Sequence, residues 1–331
     1  SSYSVLEDGT IIEGSDHTVT GIADASSSSE GAFAYKNITS ITIPDSVTSI
    51  GSWAFLGCSS LTSVTIGEGV TSIGYRAFDY CTSLTSITIG EGVTSIGSWA
   101  FEGCTSLTDV YYTGDINDWV SISFDDLYAN PLYNGANLYI NGNELVTEAN
   151  IDTATSIGDR AFRGCNSITS VTIGDQVTSI GGSAFDGCSG LTSVTFEENS
   201  QLTSIRNFAF QECGSLASIN IPDSVTIIEY QTFYNCDSLT NIAIPNSVTT
   251  IGEWAFGSCS SLTSITIPSS VTRIGYSAFN GCSSLTSVTI ESNYAYKSAT
   301  STSNCGYLLR YAKEVRVLTS CIGDSTNSYL E

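Results

Sequence analysis

Hydrophobic and polar residues alternate along this chain in short runs that return every 23 residues. The clearest copy is the stretch 84–106, LTSITIGEGVTSIGSWAFEGCTS. Its apolar residues Leu84, Ile87 and Ile89 alternate with serine and threonine, which is the pattern of a short β-strand with one buried face. The following Gly90-Glu91-Gly92 predicts a turn, because glycine tolerates the backbone angles that tight turns require.

The second half of this stretch predicts a return path. Val93 and Ile96 continue the inward pattern as a second, shorter extended piece, which Gly97 ends. The segment 98–101 then has room for only a single helical turn before Cys104. Each unit of the repeat therefore predicts one coil of a solenoid.

The unit recurs through most of the chain, and nine cysteines hold one fixed position in it. Near copies of 23 residues begin at Ile38, Leu61, Ile168, Leu216, Leu239 and Leu262, and a 25-residue copy begins at Leu191. One unit alone cannot bury its apolar face, so stacked units must share a core, with neighbouring parallel strands about 4.8 Å apart. We therefore predict one elongated repeat domain.

Both ends of the repeat are irregular. Residues 1–37 predict an N-terminal capping coil, in which Asp8-Gly9 is typical of a hairpin turn. The solenoid is predicted over residues 38–290, and residues 291–331 are predicted to form a C-terminal cap. Within that cap the segment 314–318 alternates like a strand that can cover the open edge of the sheet.

One unit is interrupted by a long insert at about residues 111–153. The unit that begins at Leu107 spans 61 residues instead of 23 before the next one starts. Asp115 is placed to cap a short helix, and Asn141-Gly142 predicts another hairpin. We expect the insert to have its own small core, and extra loops on rigid scaffolds commonly carry binding residues.

The insert concentrates tyrosine and tryptophan beside carboxylates, a mixture suited to ligand contact. Trp119, Phe124 and Leu132 fit equally well as the core of the insert. The predicted ligand-binding residues are Tyr111, Tyr112, Tyr128, Tyr133 and, from the preceding coil, Trp99.

Charge and composition exclude several classes of function. Ten basic residues against 33 acidic ones give a formal charge of −23, which disfavours binding to nucleic acid and to anionic membrane surfaces. No apolar run reaches the roughly 18 residues of a membrane span, and no signal-like segment begins the chain at Ser1. We expect a monomer that needs no metal or cofactor.

The chain offers little for catalysis. It contains one histidine, His17, with no catalytic motif around it, and it lacks the spacings of zinc or phosphate-binding sites. Cysteines of adjacent coils are predicted to lie one strand spacing apart, wider than a disulfide allows, so they are expected to be buried free thiols. No enzyme activity is predicted.

Two recurrent positions leave alternatives open. One turn position carries carboxylates in several coils, and such a row is either a solvated rim or a set of oxygen ligands for Ca²⁺. A second position carries Trp53, Trp99 and Trp254, either as half-buried packing residues or as contacts for a partner. The acidic turn position is occupied by Asp45, Glu68, Glu91, Asp175 and Asp223.

The strands of type LTSITIP, followed by SVTSIG and AF-x-G-C, resemble the BspA-like leucine-rich repeat family of bacterial and protozoan surface proteins. The resemblance covers about residues 19–290. It implies a right-handed leucine-rich-repeat coil with parallel strands on the concave side, short second strands and single helical turns elsewhere. It also implies an extracellular or cell-surface location, and in that oxidising environment Cys305 and Cys321 are the pair expected to form a disulfide, if any cysteines do.

The resemblance implies adhesion to host proteins such as fibronectin for some members, and it carries no catalytic residues. We therefore expect a cell-surface recognition or adhesion module whose partner is a host or extracellular-matrix protein or a glycan. The alternative is a passive spacer in a surface layer. A spacer should be uniform from end to end, and the aromatic insert at about 111–153 favours recognition.

Overall fold

The computed structural model describes residues 4–5, 11–12, 20–25, 27–28, 31–141, 143–291, 310 and 312–317. The chain divides into two compact units. Unit 1 consists of Ser1–Ala149 and Ile157–Ile168, and unit 2 consists of Asn150–Ser156 and Thr169–Glu331. His17, Cys305 and Cys321 lie outside the described residues, so the disulfide stays a prediction.

In its described residues, unit 1 contains two sheets of mostly parallel strands, an N-terminal strand pair and one short helix. Its elements are β1 (Ser4–Val5), β2 (Ile11–Ile12), β3 (Ser40–Ile43), β4 (Ser49–Ile50), β5 (Ser63–Ile66), β6 (Ser72–Ile73), β7 (Ser86–Ile89), β8 (Ser95–Ile96), β9 (Asp109–Tyr112), α1 (Ile116–Trp119), β10 (Ser123–Phe124), β11 (Asn137–Ile140) and β12 (Glu144–Leu145). The longer strands form one sheet in the order β12-β11-β9-β7-β5-β3, and the two-residue strands form another in the order β10-β8-β6-β4.

Unit 2 repeats this arrangement. Two short elements, β13 (Glu148–Ile151) and β14 (Ser156–Ile157), include residues of both units. The other strands are β15 (Ser170–Ile173), β16 (Ser179–Ile180), β17 (Ser193–Phe196), β18 (Ser204–Ile205), β19 (Ser218–Asn220), β20 (Ile227–Ile228), β21 (Asn241–Ala243), β22 (Thr250–Ile251), β23 (Ser264–Ile267), β24 (Arg273–Ile274), β25 (Ser287–Ile290) and β26 (Glu314–Val317). The longer strands pair in parallel as β15-β17-β19-β21 and as β23-β25-β26.

Strand pairing aligns equivalent positions of the repeat. Ile41 of β3 lies opposite Val64 of β5, and Ile43 lies opposite Ile66. These inward side chains are buried, whereas the serine and threonine between them lie on the other face. The predicted fold, a parallel repeat solenoid of leucine-rich-repeat type, is confirmed.

The return side of each coil is built from consecutive hydrogen-bonded turns, which is the form that the predicted single helical turns take. Backbone N–H groups there donate to the next coil, for example Trp53 to the Tyr75 carbonyl at 2.8 Å and Phe55 to the Ala77 carbonyl at 2.7 Å. On the other side of the coil, the bonds outside the strand ladders run in the opposite direction: the next coil donates to the one before it, as from Thr62 to the Thr39 carbonyl at 2.8 Å. Adjacent coils are thus hydrogen-bonded on both sides.

The Phe and Cys that recur at fixed positions of the repeat form two ladders in the core. Phenylalanines of successive coils stack with ring centroids 4.9 to 5.6 Å apart. The ladder cysteines lie beside this stack, and Cys81, for example, donates its S–H to the Phe55 carbonyl at 3.2 Å. The same thiol-to-carbonyl bond recurs in both units, so cysteine serves here as a small apolar residue with a weak donor.

The long insert does not form a separate small core. Its strand β9 continues the ladder from β7, and β10 pairs with β8, so residues 107–136 form an irregular coil of the solenoid. The buried Trp119 and Asn130 both donate to carbonyls of residues 160–161 within unit 1. Stacking of coils therefore explains much of the segment that sequence analysis treated as an added loop.

Several local predictions are confirmed. Asp115 caps α1 by accepting the N–H groups of Asn117 and Asp118. The strand pairs β1–β2 and β11–β12 are antiparallel, as the predicted hairpins require, and the turn residues Asp8, Gly9 and Gly142 lie outside the described residues. Strand β26 pairs with β25 at the edge of its sheet.

Candidate functional site

The five predicted binding residues do not form one site. Tyr111 lies on the outward face of the longer strands of unit 1, and Tyr112 points into the core. Trp99, Tyr128 and Tyr133 lie on the turn side of the coils, where their backbones take part in turns or pair with neighbouring coils. The strand face and the turn side must therefore be considered separately.

On the strand face, Tyr111 stacks on Tyr139 with ring centroids 4.6 Å apart and an interplanar angle of 19°. Tyr139 lies directly opposite Leu145 of the adjacent antiparallel strand, and residues so paired share a face of the sheet. Leu145 is 43% exposed. These three side chains form an apolar row across β9, β11 and β12, at the last strands of this sheet.

Polar residues lie beside this row. Asp109 and Asn137 occupy the outward positions two residues before Tyr111 and Tyr139, and the Asn137 amide donates to the Asp109 carboxylate at 3.4 Å. Desolvation and the nearby Asp109 raise the pKa of the Tyr139 phenol above its ordinary value. We call Asp109, Tyr111, Asn137, Tyr139 and Leu145 the strand-face patch.

The patch replaces the repeat's ordinary surface. In the preceding coils the same outward positions hold serine and threonine, with Ser86 aligned to Asp109 and Thr88 aligned to Tyr111. The inward residue Val110 keeps the apolar character of the repeat. The core pattern thus fixes the strand, while its outward positions have been exchanged for aromatic and ionisable groups.

Tyr112 is not a contact residue, which corrects the prediction made from sequence. It aligns with Ile89 of the preceding coil and is 1% exposed. Its ring packs edge-on against Trp119 at 5.4 Å, and burial raises the pKa of its phenol above the ordinary value. Adjacent strand residues point to opposite faces, so Tyr111 and Tyr112 could not both be exposed.

Trp99 belongs to an aromatic row on the turn side. Trp53, Tyr75 and Trp99 follow one another with centroid separations of 5.2 and 5.8 Å. The Arg76 guanidinium lies 4.0 Å from the centre of the Trp99 ring and pairs with Asp79 at 2.9 Å. Tyr75 therefore contacts both Trp53 and Trp99 and makes the row of aromatic rings continuous between them.

Tyr128 and Tyr133 contact each other edge-on at 5.3 Å. The Tyr128 carbonyl accepts the N–H of Phe101, so this residue has a structural role in continuing the stack of coils. Burial raises the pKa of the Tyr133 phenol. Both rings are half-buried.

The acidic turn position has structural hydrogen bonds in unit 1. The Asp45 carboxylate accepts the N–H of Glu68 at 3.0 Å, and the Glu91 N–H is bound by the Thr113 hydroxyl. Within the part of the chain that the structure describes, no group of three or more metal-ligating side chains comes together. The described residues thus give the Ca²⁺ alternative no ligand cluster.

Tyr139 and Leu145 were not predicted from the sequence to be surface residues. The signal for Tyr139 was present, because Asn137 to Tyr139 copies the order of Asp109 to Tyr111 in polar, apolar and aromatic character. Leu145 becomes an exposed neighbour of Tyr139 only through the register of the hairpin.

Comparisons with known proteins agree with this architecture. The family model of the BspA type leucine rich repeat region matches residues 26–131, 137–215 and 203–315, in six copies. No curated protein sequence matches the chain significantly. The described residues include no helix of the length and apolarity needed to cross a membrane.

The solved structures similar to this chain include two bacterial leucine-rich repeat proteins. A leucine rich cell surface protein from Faecalibacterium prausnitzii is 26% identical with a TM-score of 0.51, and the alignment covers 99% of this chain and 96% of that chain. A leucine-rich repeat protein from Eubacterium ventriosum is 20% identical with a TM-score of 0.48, covering 86% and 93%. With the family model matching well over half of its residues, this chain belongs to the BspA-type leucine-rich repeat family.

Proposed function

We propose that this protein is a non-catalytic recognition module of the cell surface that binds a protein ligand through the strand-face patch. The observation that carries this proposal is the stacked pair Tyr111–Tyr139, with exposed Leu145 beside it on an otherwise hydroxyl-covered sheet. The similar protein from Faecalibacterium prausnitzii is described as a cell surface protein, which supports an extracellular or surface location here.

The chemistry of the patch fits a protein partner. Large aromatic side chains bury much apolar area while losing little conformational entropy, and they dominate the energetics of protein interfaces. Tyr111 is already ordered against Tyr139, which lowers the entropic cost of binding further. Asp109 and Asn137 supply hydrogen-bonding groups at the rim.

The test is binding of the whole chain to immobilised fibronectin, laminin and collagen, measured by surface plasmon resonance. The variant Tyr111→Thr/Tyr139→Thr places threonine, the residue of earlier coils, on the outward face, so the fold should be retained. We expect binding to at least one protein and a loss of ten-fold or more in affinity in this variant.

Tyr80→Gly is the matched control. Tyr80 is 54% exposed, lies in the same unit on the turn side, and has a positive φ that glycine adopts readily. The proposal fails if Tyr80→Gly weakens binding as much as the patch variant. If none of the matrix proteins binds, the competing function as a passive spacer is favoured instead.

A further inference from the structure

Unit 2 contains a groove that no part of the proposed function uses. It has a volume of about 830 Å³ and lies where β17, β19 and β21 end and enter their turns. A smaller depression of about 360 Å³ continues it over the outward face of the same three strands. Its size falls in the range of small-ligand sites in proteins.

The groove coincides with departures from the repeat. Phe196 stands where other coils have a buried isoleucine, and its ring is half-buried. The outward position that holds threonine in other coils holds Asn220 in β19 and Ala243 in β21. The Asn220 amide therefore lies beside a side chain that is only a methyl group. The buried isoleucines at the Phe196 position are Ile43, Ile66, Ile89, Ile173, Ile221, Ile244, Ile267 and Ile290.

The turns that border the groove have two backbone features. The 25-residue coil adds two residues to the turn after Phe196, and Asn199 there has a φ of 63°. The Glu197 N–H donates to the Ile173 carbonyl at 2.9 Å, but the next coil has Pro222 at the equivalent position, which has no N–H to donate. Pro245 repeats this in the following coil, so the turns are not joined there by the usual ladder bond.

The lining indicates the chemistry of the ligand. Asn199 and Asn220 offer paired donors and acceptors, Glu197 and Asp223 offer acceptors, and Phe196 offers an aromatic face. This combination matches the adjacent hydroxyls and the C–H face of a sugar ring. Among the described residues that line the groove none is lysine or arginine, and the two carboxylates disfavour an anionic ligand.

A basic peptide is the main competitor for this groove. Ion pairs in such an open, solvated setting contribute only about 0–1 kcal/mol each, so charge alone would hold a peptide weakly. Glu197 also accepts the Asp175 N–H at 3.3 Å, which leaves it fewer free acceptor sites. The amides and the aromatic ring, which are the repeat-breaking features, are matched better by a sugar.

We propose that this groove in unit 2 is a binding site for a neutral oligosaccharide. The whole chain is applied to an array of immobilised neutral, N-acetylated, amino and acidic glycans, and the strongest neutral hit is titrated by calorimetry. Phe196→Ile and Asn220→Ala are tested beside it. Phe196→Ile restores the residue of the other coils, so folding should be unaffected, and a thermal melt of this variant checks that expectation.

We expect binding of at least one neutral glycan and a loss of ten-fold or more in affinity for each variant. Thr65→Ala changes the equivalent outward position in unit 1 and should alter the affinity less than two-fold. Absence of neutral glycan binding overturns the proposal, as does full binding by both groove variants. Binding of an oligolysine probe that is lost in these variants, with no glycan bound, would assign the groove to a basic peptide instead.

Discussion

Trp119 and Ala161 lie 42 positions apart in the chain, yet the indole Nε1 of Trp119 donates a hydrogen bond of 2.8 Å to the Ala161 carbonyl in the core of unit 1. The ring also contacts Tyr112 and Phe124. A single side chain thus joins three parts of the irregular segment 107–167, which the repeat pattern does not specify.

Replacement of Trp119 should therefore separate its hydrogen bond from its packing. Trp119→Phe keeps an aromatic ring but removes this donor, while the Asn130 amide still donates to the Ala161 carbonyl at 3.3 Å, so the expected cost is about 0.5–1.5 kcal/mol in the free energy of unfolding. Trp119→Ala should cost about 3–5 kcal/mol because it also creates a cavity. Urea unfolding measures both, and equal stability of Trp119→Phe and the wild type would contradict the role of the bond.

The phenylalanine stack gives a second prediction. Phe233 lies between Phe210 and Phe256, with centroid separations of 5.6 and 5.5 Å, and is 0% exposed. Phe233→Ala should lower the free energy of unfolding by about 3–5 kcal/mol through lost transfer energy and a residual cavity. The half-buried Phe208 on the turn side is the control, and Phe208→Ala should cost clearly less. Similar losses for the two variants would show that a ring in the buried stack contributes no more to stability than a half-buried ring on the turn side.

The ladder thiols should resist modification in the folded protein. Burial raises the pKa of Cys104 to about 12 and raises those of Cys213, Cys236 and Cys259 well above the ordinary value. The thiolate is the reactive form, and all nine ladder cysteines are buried, including Cys58, whose pKa a hydrogen bond with Cys81 lowers. A thiol reagent at mildly alkaline pH should therefore label none of the nine until guanidinium unfolds the chain. Labelling at the rate of a free thiol, such as N-acetylcysteine, would contradict this burial.

The same assay addresses Cys305 and Cys321, which the resemblance to surface proteins singles out as the expected disulfide. Closing a loop of about 15 residues would contribute roughly 3 kcal/mol. Thiol titration of the denatured, unreduced chain should then find nine free thiols of the eleven cysteines. A count of eleven would exclude the bond.

The repeat explains why much of the fold could be predicted from sequence. Because equal units stack in equal positions, Phe78 had to lie beside Phe55 and Phe101, and no knowledge of distant contacts was needed. The segment 107–136 offers no such copy, so its place in the stack depends on long-range bonds such as that from Trp119 to Ala161. Replacing this whole segment by a short loop would therefore damage the core as well as any binding surface.

The candidate site was predictable only in part for a similar reason. Tyr111 was identified from composition, whereas the burial of Tyr112 follows from alternation along β9 and its alignment with Ile89. The Tyr139–Leu145 pair depends on the register of a hairpin, which composition does not specify. The groove at Phe196 was visible in sequence only as a two-residue bulge.

Asp79 gives the last prediction, because it is a buried carboxylate with incomplete pairing. Its side chain is 0% exposed, Oδ2 accepts from Arg76 at 2.9 Å, and within the described residues Oδ1 has no hydrogen-bond partner. Desolvation raises the pKa of Asp79 from 3.8 to about 6, and Glu102 adds to this, although Arg76 opposes it. The Asp79 carboxyl is therefore protonated more readily in the folded chain than in the unfolded chain.

A raised pKa in the folded state means that the Asp79 contribution to stability is fully present below about pH 3.8 and is lost as the pH rises through about 6. A shift of about two units corresponds to roughly 2–3 kcal/mol. Asp79→Asn cannot ionise, so the difference in unfolding free energy between this variant and the wild type should grow in favour of the variant between pH 4 and pH 7, by urea unfolding. Asp125→Asn removes an exposed carboxylate of the same unit and should show no such growth. A constant difference for Asp79→Asn across this range would mean that the Arg76 pair, with the guanidinium stacked on Trp99, compensates fully for the burial of the charge.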